Sequence, residues 1–394
     1  MDFSDRYGSF RREVGDWLDR ELTKDLQEEF ARELTFLRVP MRWSPEILAF
    51  NRKLGAKGWI GLHWPGKYGG GGRTLREQLV VVEELARRYA CILNSQSLCL
   101  IPTLLVHGTE AQKLEVIPRI VSGEIEVALG YTEPNAGSDL ANVQMRAVEK
   151  GDHFVISGEK IFNTMAHWAT YHWLLARTDV TAKPKHRGLT MFLVDMNAPG
   201  ITVRPLETID DSRTNLVHYD DVKVPKNRVV GEKNRGFYVV MEALGEERLL
   251  VFNPFFYRTL FNDLVGYAKR SNTGGRFLAG DPIAQHVLAE LDVKLSAAEL
   301  LYERAIWSLE SGVFAVSDLS MFKLFMSETG QELVRQALGM IGLSGLIHSE
   351  SNRSVIRGLL AIGQWATIFH TFGAGASELM RNLIAIRRCG LPVG

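Results

Sequence analysis

Strand-forming sequence is confined to one block of this 394-residue chain, and this restricts the possible folds more than any other feature. Between residues 126 and 233, short segments rich in valine, isoleucine, phenylalanine and threonine are separated by glycine, proline and aspartate, which is typical of antiparallel strands. Long helical patterns do not alternate with these segments, as they would in a doubly wound parallel sheet. The strand candidates are "HFVISGEKIF", "GLTMFLVDM", "ITVRPLE" and "VHYDDVKVP".

Helical patterns precede this block. Apolar residues between Tyr7 and Leu22 recur at three- and four-residue steps, which indicates one buried face of a helix. The segments "TLRE" (74–77) and "TEAQ" (109–112) match the capping box, in which a threonine and a Glu or Gln three residues later satisfy the first amides of a helix.

Helical patterns also follow the block. Asp281 before Pro282 predicts a helix start, and an apolar pattern then runs without a break to about Ser311, a length that usually packs in a bundle. Its apolar positions are Ile283, Val287, Leu291, Leu295, Ala298 and Ala305. We therefore predict an α+β multi-domain fold. It has an N-terminal helical domain over 1–125, a middle antiparallel β-domain over 126–233 and a C-terminal four-helix-bundle-like domain over 234–394.

Charge and cysteine content exclude several classes of function. Lysine plus arginine and aspartate plus glutamate each number 46, so the chain lacks the basic surplus typical of nucleic-acid binding. Its three cysteines are scattered, which indicates reduced thiols rather than a disulfide framework or a cysteine zinc site. The histidines lack metal-ligand spacing, so we expect no metal.

The N-terminal segment is charged from its second residue and does not resemble a signal or transit peptide, so we expect a cytoplasmic location. The sequence has no stretch of 18 apolar residues, and we expect no membrane span.

The stretch from Leu129 to Val143, "LGYTEPNAGSDLANV", is too punctuated for a helix and too rich in small residues for a buried strand. It lies where the first helical region meets the β-block, and domain junctions are favoured places for cofactor pockets. Amides around Ala136, Gly137 and Ser138 could form a nest for a phosphate. An ordinary turn with Asp139 as a cap explains the same composition, so composition alone leaves both interpretations open.

Five motifs, which follow one another along the chain as they do in the family, resemble those of acyl-CoA dehydrogenases. These are flavoenzymes with a helix–β–helix layout. In the loop, "GYTEPNAGSD" is similar to the family signature T-E-P-x-A-G-S-D. The other four are "HGTEAQKLEVIPRIVSGE" (107–124), "GEKIFNTMAHWATYHWLLART" (158–178), "VPKNRVVGEKNRGF" (224–237) and "SELMRNLIAIRRCGLP" (377–392). The resemblance covers essentially the whole chain and favours a cofactor loop over an ordinary turn.

The resemblance implies that this loop binds FAD. Thr132 would lie near the flavin ring, and Ser138 would lie beside the phosphate or the CoA chain of the substrate. Phe162, where the family often has tryptophan, would cover one face of the flavin, and Thr164 would hydrogen-bond near flavin N5. The cofactor-binding residues implied in this region are Leu129, Tyr131, Thr132, Gly137, Ser138, Phe162, Asn163 and Thr164.

The resemblance implies further FAD contacts in the C-terminal region. Arg276 matches an arginine that reaches the FAD pyrophosphate of a neighbouring subunit, and Gln336 and Gly339 match a loop that touches its adenosine end. Ala376 and Glu378 complete the implied cofactor-binding set.

The sequence departs from the family pattern beside these cross-subunit contacts. Leu278 and Ala279 stand where the family usually has Gln and Phe after the arginine, and Met340 replaces its second glycine. These departures suggest, as an alternative to a homotetramer, an assembly in which the chain works with a homologous subunit in an α2β2 tetramer.

The resemblance also implies a catalytic base. Removing a weakly acidic α-proton needs a carboxylate within reach and a polarised thioester carbonyl. Most relatives carry that glutamate at the position of Ala374, but isovaleryl-CoA and long-chain members place it before an arginine on another helix, as Glu247 stands before Arg248. Glu247 would be the base and Arg248 its orienting partner, with Glu246 as the neighbouring alternative. The amide of Ala374 and a flavin ribityl hydroxyl would hold the thioester carbonyl.

The leading hypothesis is FAD-dependent α,β-dehydrogenation of an acyl-CoA to the trans-2-enoyl-CoA, with electron-transferring flavoprotein as the acceptor. The relocated base and Phe162 would suit a branched, long or ring-bearing acyl chain. Three alternatives stay open. The first is one subunit of an α2β2 dehydrogenase for a bulky, sterol- or aryl-type acyl-CoA, the second is a non-catalytic flavin- or CoA-binding relative, and the third is a flavin enzyme of the same fold with oxidase, nitroalkane or thioester-elimination chemistry.

Overall fold

The computed structural model describes residues 7–33, 43–93, 95–210, 212–273, 276–311, 313 and 316–392. The chain divides into two compact units. The helical unit comprises Met1–Phe50, Thr74–Ile92 and Arg248–Gly394, and the sheet unit comprises Asn51–Arg73 and Leu93–Glu247. The N-terminal third of the chain therefore contributes to both units, and the three domain boundaries drawn from the sequence stay a prediction.

The described helices agree with the predicted helical flanks. They are α1 (Gly8–Glu21), α2 (Lys24–Glu33), α3 (Pro45–Ala56), α4 (Leu75–Ala86), α5 (Ser95–Leu98), α6 (Ile101–His107), α7 (Glu110–Val121), α8 (Gly236–Val251), α9 (Pro254–Arg270), α10 (Pro282–Glu310), α11 (Val316–Ile341), α12 (Leu359–Phe372) and α13 (Ser377–Arg387). None of them combines the length and the apolar character needed to cross a bilayer.

Local sequence explains where several helices begin. Thr74 and Thr109 cap α4 and α7, and in both cases the reciprocal bond of the capping box is present, as predicted. Asp281 caps α10 through a 2.9 Å bond from the amide of Ile283, also as predicted. Ile283, the first apolar position of the predicted pattern, is 74% exposed, and Ala284 is the first buried residue of α10.

The core of the helical unit is built from α9, α10, α11 and α12. These helices bury aliphatic and aromatic side chains at three- and four-residue spacing, so each presents one apolar stripe to its neighbours. Members of this core include Phe256, Leu260, Leu295, Tyr302, Phe322, Leu333 and Leu360.

Eight of the described strands form one sheet in the sheet unit, in the order β6–β7–β3–β2–β4–β5–β8 with β1 beside β4. They are β1 (Val127–Gly130), β2 (Arg146–Lys150), β3 (His153–Lys160), β4 (Tyr171–Arg177), β5 (Leu189–Asp195), β6 (Ile201–Glu207), β7 (Arg213–Pro225) and β8 (Val229–Val230). A separate two-stranded ladder in the helical unit joins β9 (Asn272–Thr273) to β10 (Arg276–Phe277).

Most neighbouring strands are antiparallel, so the sequence prediction is confirmed apart from two pairings. β1 runs parallel to β4, and β2 meets β4 in parallel at Arg146 and Arg177. The purely antiparallel expectation was wrong here because the segment between β1 and β4 is long enough for a crossover connection. The connection includes the β2–β3 hairpin and the loop of residues 131–145, which we call the cofactor loop because the resemblance predicts FAD binding there.

A carboxyl group is enclosed where β1 begins. Glu126 as a residue is half-buried, but its carboxyl lies inside the unit and accepts a 2.8 Å hydrogen bond from the hydroxyl of Ser97, which is fully buried on α5. The same hydroxyl accepts a bond from the amide of Val127. Because burial disfavours the charged form, the pKa of Glu126 is raised to about 8, although the Ser97 bond acts in the opposite direction.

We predict that Glu126 makes the chain less stable as pH rises from about 4.5 to about 8. Its pKa is higher in the folded chain than in the unfolded chain, so the folded state binds more protons in this window and loses that advantage as the group ionises. Glu126→Gln should remove the dependence and be more stable than the parent by about 3 kcal/mol at pH 8, with little difference at pH 4.5. Urea unfolding at both pH values measures this.

Glu124→Gln is the matched control, because Glu124 is an exposed neighbour that pairs with Arg119. Its difference from the parent should be small at both pH values. A stability difference for Glu126→Gln that is the same at pH 4.5 and pH 8 would contradict the assignment.

Candidate active site

The cofactor loop begins with a tight turn directly after β1. The amide of Glu133 donates to the carbonyl of Ala136 at 3.0 Å, and the amide of Ala136 donates back at 3.1 Å. Pro134 and Asn135 lie exposed at the tip. The predicted three-amide nest is therefore wrong for Ala136, whose amide is already used, and a phosphate nest here would rest on Gly137 and Ser138.

Gly137 and Ser138 are both exposed at the surface of the sheet unit. A Cβ atom added at Gly137 would meet no described atom within 4 Å, so packing inside this unit does not require a glycine there. The absence of a side chain leaves the backbone of this segment accessible to a bound group.

The start of the loop lies beside the segment that carries Phe162, Asn163 and Thr164. The amide of Ile161 donates to the carbonyl of Thr132 at 3.0 Å, so the sheet unit brings these two predicted cofactor segments together. Phe162 has a φ of +60° and a side chain that is 62% exposed. A large aromatic residue rarely adopts such a backbone conformation, and residues that do so cluster at ligand sites.

Asn163 is buried, with 1% of its surface exposed. Its Nδ2 donates to the carbonyl of Ile161 at 2.7 Å, and its backbone exchanges bonds with Asn215. Its Oδ1 has no hydrogen-bond partner among the described residues. Because a buried acceptor without a donor costs free energy, this oxygen fits a ligand that carries an N–H group, as a flavin ring does.

A buried ion pair lies behind the loop. Lys160, at the end of β3, is fully buried, and its Nζ donates to Glu133 Oε1 at 2.8 Å and to the carbonyl of Tyr131 at 3.0 Å. Burial lowers the pKa of Lys160 to about 8, although the charge of Glu133 acts in the opposite direction. Sequence analysis missed both residues as contributors to the site. Lys160 falls on the alternation that buries Phe154 and Ile156, which is the signal that could have identified it.

A second buried polar pair supports the end of β1. His172 Nδ1 lies 2.8 Å from the hydroxyl of Tyr219, and both side chains are buried. Burial, with the nearby charge of Lys160, lowers the pKa of His172 to about 3, and burial raises the pKa of Tyr219. His172 is therefore neutral, and either its Nδ1 or the Tyr219 hydroxyl donates the bond, according to the tautomer. A Cβ atom on Gly130 would lie 2.5 Å from the His172 ring, so close packing requires glycine at that position.

The predicted base, Glu247, lies on α8, and its backbone is helical. The side chains of Glu246 and Glu247 lie outside the described residues, so their positions in the site stay a prediction. Arg248, the predicted orienting residue, belongs to the helical unit and is 6% exposed. A buried guanidinium is unusual unless it serves a specific contact.

An irregular turn joins α12 to α13 in the helical unit. Ala374 and Gly375 have φ values of +52° and +102°, a region that residues other than glycine rarely adopt. Arg248 Nη2 lies 3.7 Å from the position that a Cβ on Gly375 would take. The structure therefore places Arg248 next to the turn that carries Ala374, and the roles assigned to both residues stay predictions.

Lys323 on α11 holds the same turn. It is fully buried, and its Nζ donates to the carbonyl of Gly375 at 2.7 Å and lies 5.2 Å from the centroid of the Phe252 ring. Sequence analysis missed Lys323, and its position among the buried residues of a long amphipathic helix is the only signal that the sequence offers. The hydroxyl of Ser377 is buried beside this turn without a partner among the described residues.

The remaining predicted cofactor residues are dispersed over the helical unit. Arg276 lies on β10, and its side chain is outside the described residues. Gln336 is half-buried and Gly339 exposed on α11. Ala376 precedes α13, and Glu378 is exposed in its first turn. Ala376 directly follows the Ala374–Gly375 turn, and the contact of all these residues with FAD stays a prediction.

No group of three or more His, Cys, Asp or Glu side chains with metal-binding geometry occurs in the described parts of the chain. The sheet unit offers exposed backbone at Gly137 and Ser138 and the buried carboxamide of Asn163. The helical unit, taken by itself, offers the amides of the turn at Ala374 and Gly375, with the buried cations Arg248 and Lys323 beside it. Backbone amides of this kind suit an anionic group or the carbonyl of a thioester.

Family models match almost the full length of the chain. The models of the N-terminal, middle and C-terminal domains of acyl-CoA dehydrogenase match residues 4–124, 128–222 and 234–388. Among related proteins, the acyl-CoA dehydrogenase FadE29 of Mycobacterium tuberculosis is 31% identical, and the alignment covers 100% of this chain and 98% of that protein.

Solved structures show the same relationship. A structure described as "Tcur3481-Tcur3483 steroid ACAD" has 32% identity and a TM-score of 0.88, with 99% of this chain and 98% of the other covered. The ChsE4–ChsE5 complex from Mycobacterium tuberculosis contains a chain with 28% identity and a TM-score of 0.89, with both chains covered completely. The resemblance and the fold class inferred from the motifs are confirmed. This chain belongs to the acyl-CoA dehydrogenase family.

Proposed function

We propose that Glu247 is the base with which this flavin-dependent acyl-CoA dehydrogenase removes the α-proton of its substrate. The reaction converts an acyl-CoA thioester to the trans-2-enoyl-CoA. The α-proton is weakly acidic, so the reaction needs a carboxylate within hydrogen-bond reach and donors that stabilise the charge developing on the thioester oxygen. Bound FAD supplies the acceptor for the β-hydride at its N5 atom.

Members of the family are flavoproteins, and the sheet unit fits FAD as the cofactor. The exposed ring of Phe162 offers a flat apolar surface, and the buried Oδ1 of Asn163 lacks a donor among the described residues. The exposed backbone at Gly137 and Ser138 would accommodate the pyrophosphate. We assign Leu129, Tyr131, Thr132 and Thr164 to the same site on the family motif.

The burial of Arg248 beside the Ala374–Gly375 turn is the observation that carries the choice of Glu247. Ala374 occupies the position where most relatives carry the base, and a methyl group cannot accept a proton. Glu247 directly precedes Arg248 in the chain, and Arg248 is 6% exposed next to that turn. An arginine held there would orient a neighbouring carboxylate and hold it ionised until the proton is transferred.

We propose a bulky, ring-bearing acyl group as the substrate and a homologous chain as the partner. The structure described as "Tcur3481-Tcur3483 steroid ACAD" and the ChsE4–ChsE5 complex are among the structures that this chain resembles over almost its full length. The loss of the family residues at Leu278, Ala279 and Met340 fits a site completed by a different subunit. Electron-transferring flavoprotein is the proposed electron acceptor.

We predict that Glu247→Gln retains FAD but no longer lets substrate bleach the flavin. The amide keeps the shape of the side chain and removes the proton acceptor, so the rate of reduction should fall about 1,000-fold or more. Anaerobic stopped-flow measurement of flavin absorbance after mixing with acyl-CoA gives this rate.

Glu246→Gln is the matched control, because it makes the same change one residue away on α8. It should keep most of the wild-type rate. A wild-type rate of flavin reduction in Glu247→Gln, or an equal loss of rate in both variants, would contradict the assignment of Glu247 as the base. A parent chain that binds FAD and acyl-CoA without reduction would instead support the non-catalytic alternative.

Lys323 is a further residue on which the proposed reaction depends. The amide of Ala374 is proposed to donate to the thioester carbonyl, and it stands at the start of the turn in which Ala374 and Gly375 have positive φ values. The bond from Lys323 to the Gly375 carbonyl holds the Gly375–Ala376 peptide, which is two peptide units after the one that contains the Ala374 amide. Lys323 therefore acts as a positioning residue.

We predict that Lys323→Met lowers kcat by about 10-fold while KM changes less. The oxyanion donor remains but is no longer held in place, so the loss should be smaller than the 100- to 1,000-fold typical of deleting such a donor. Steady-state kinetics with the best acyl-CoA measure both constants. Lys269→Met, a change at an exposed lysine on α9, is the control. An unchanged kcat in folded Lys323→Met would refute this role.

A further inference from the structure

One carboxylate closes the cofactor loop. Glu133 stands at the start of the loop, and its Oε2 accepts a 2.7 Å bond from the amide of Gln144, while its Oε1 accepts a 2.9 Å bond from the amide of Met145. Those amides lie where the loop ends and β2 begins. The two ends of the loop are therefore joined through a single side chain, and the exposed residues Gly137 and Ser138 lie between them.

Lys160 connects this carboxylate to a second segment of the site. Its Nζ bonds Glu133 Oε1 at 2.8 Å and the carbonyl of Tyr131 at 3.0 Å, and it stands two residues before Phe162 in the chain. The start of the loop and the turn that carries Phe162 consequently share one anchor.

Neither side chain of the pair is available to touch a ligand at the surface. The side chain of Lys160 is 0% exposed and that of Glu133 is 8% exposed. A buried pair of this kind contributes little to stability compared with apolar residues of similar size, but removing one partner leaves an uncompensated buried charge. The ion pair instead favours one conformation of the loop backbone. A loop that already has its bound conformation loses less conformational entropy when the ligand binds.

We infer that Glu133 and Lys160 are positioning residues that hold residues 131–145 and Phe162 in the conformation that binds FAD. The inference rests on the proposed assignment of this loop to FAD. The pair acts through the amides of Gln144 and Met145 and the carbonyl of Tyr131, without contact to the flavin.

The test compares Lys160→Met, Glu133→Gln and the double variant with the parent. Glu149→Gln is the matched control, because Glu149 lies on β2 of the same sheet and pairs at the surface with Lys226 and Lys233. FAD affinity is measured by titrating flavin into the flavin-free chain. The thermal midpoint and the hydrogen exchange of the loop amides are measured on the flavin-free chains.

Each single variant should raise the Kd for FAD about 10- to 100-fold, the loss typical when an outer partner of a ligand-binding group is removed. Exchange at amides 137–145 should accelerate in the same variants. The double variant should recover part of the affinity, since it leaves no unpaired buried charge. Glu149→Gln should match the parent in both measurements.

Single variants that bind FAD as tightly as the parent would overturn the inference, as would a fall in thermal midpoint without faster loop exchange. The exchange measurement needs no flavin, so it decides the positioning role of the pair even if the parent binds no FAD. If the parent chain binds no FAD, the proposed FAD site is wrong, whatever the exchange measurement shows for the ion pair.

Discussion

The buried contact between Lys160 and Glu133 is the interaction on which the irregular part of the sheet unit depends. β1, the loop, β2 and β3 are separate segments, and this one ion pair with its three backbone partners joins all of them. Burying two charges is costly unless each oxygen and proton finds a partner. Here both carboxylate oxygens and two of the three ammonium protons have partners, and the backbone groups among those partners belong to the loop, so the pair fixes the loop.

In the helical unit, too, a buried lysine donates a hydrogen bond to the backbone of an irregular segment. Lys323 is fully buried on a regular helix and donates to the carbonyl of Gly375, within a turn whose backbone adopts positive φ at two consecutive residues. In both units a buried lysine on a regular element holds an irregular segment that carries proposed site residues. Regular elements supply rigidity, and the irregular segments supply amides and carbonyls that are not used within a helix or strand.

The fold class, the helix caps at Thr74, Thr109 and Asp281 and the four named strands were predictable, because capping and strand alternation are local signals. The parallel pairing of β1 with β4 and the roles of Lys160, Glu133 and Lys323 were not, because they depend on contacts between residues far apart in the chain. The nest at Ala136 failed for a related reason: composition indicates a glycine-rich turn but does not show which amide the turn itself consumes. The family motif identified candidate positions such as Phe162 and Asn163, whereas only the structure shows that one is exposed and that the other carries a buried acceptor in need of a donor.

We propose that this chain dehydrogenates an acyl-CoA with a bulky acyl group. The most direct test is an anaerobic titration of the purified, FAD-loaded chain with short, branched, long, aryl- and steroid-bearing acyl-CoAs, following the flavin absorbance. We expect stoichiometric bleaching by a ring-bearing acyl-CoA and weaker bleaching by short straight chains. A flavin that binds tightly and is bleached by none of these substrates, with or without a homologous partner chain, would contradict it.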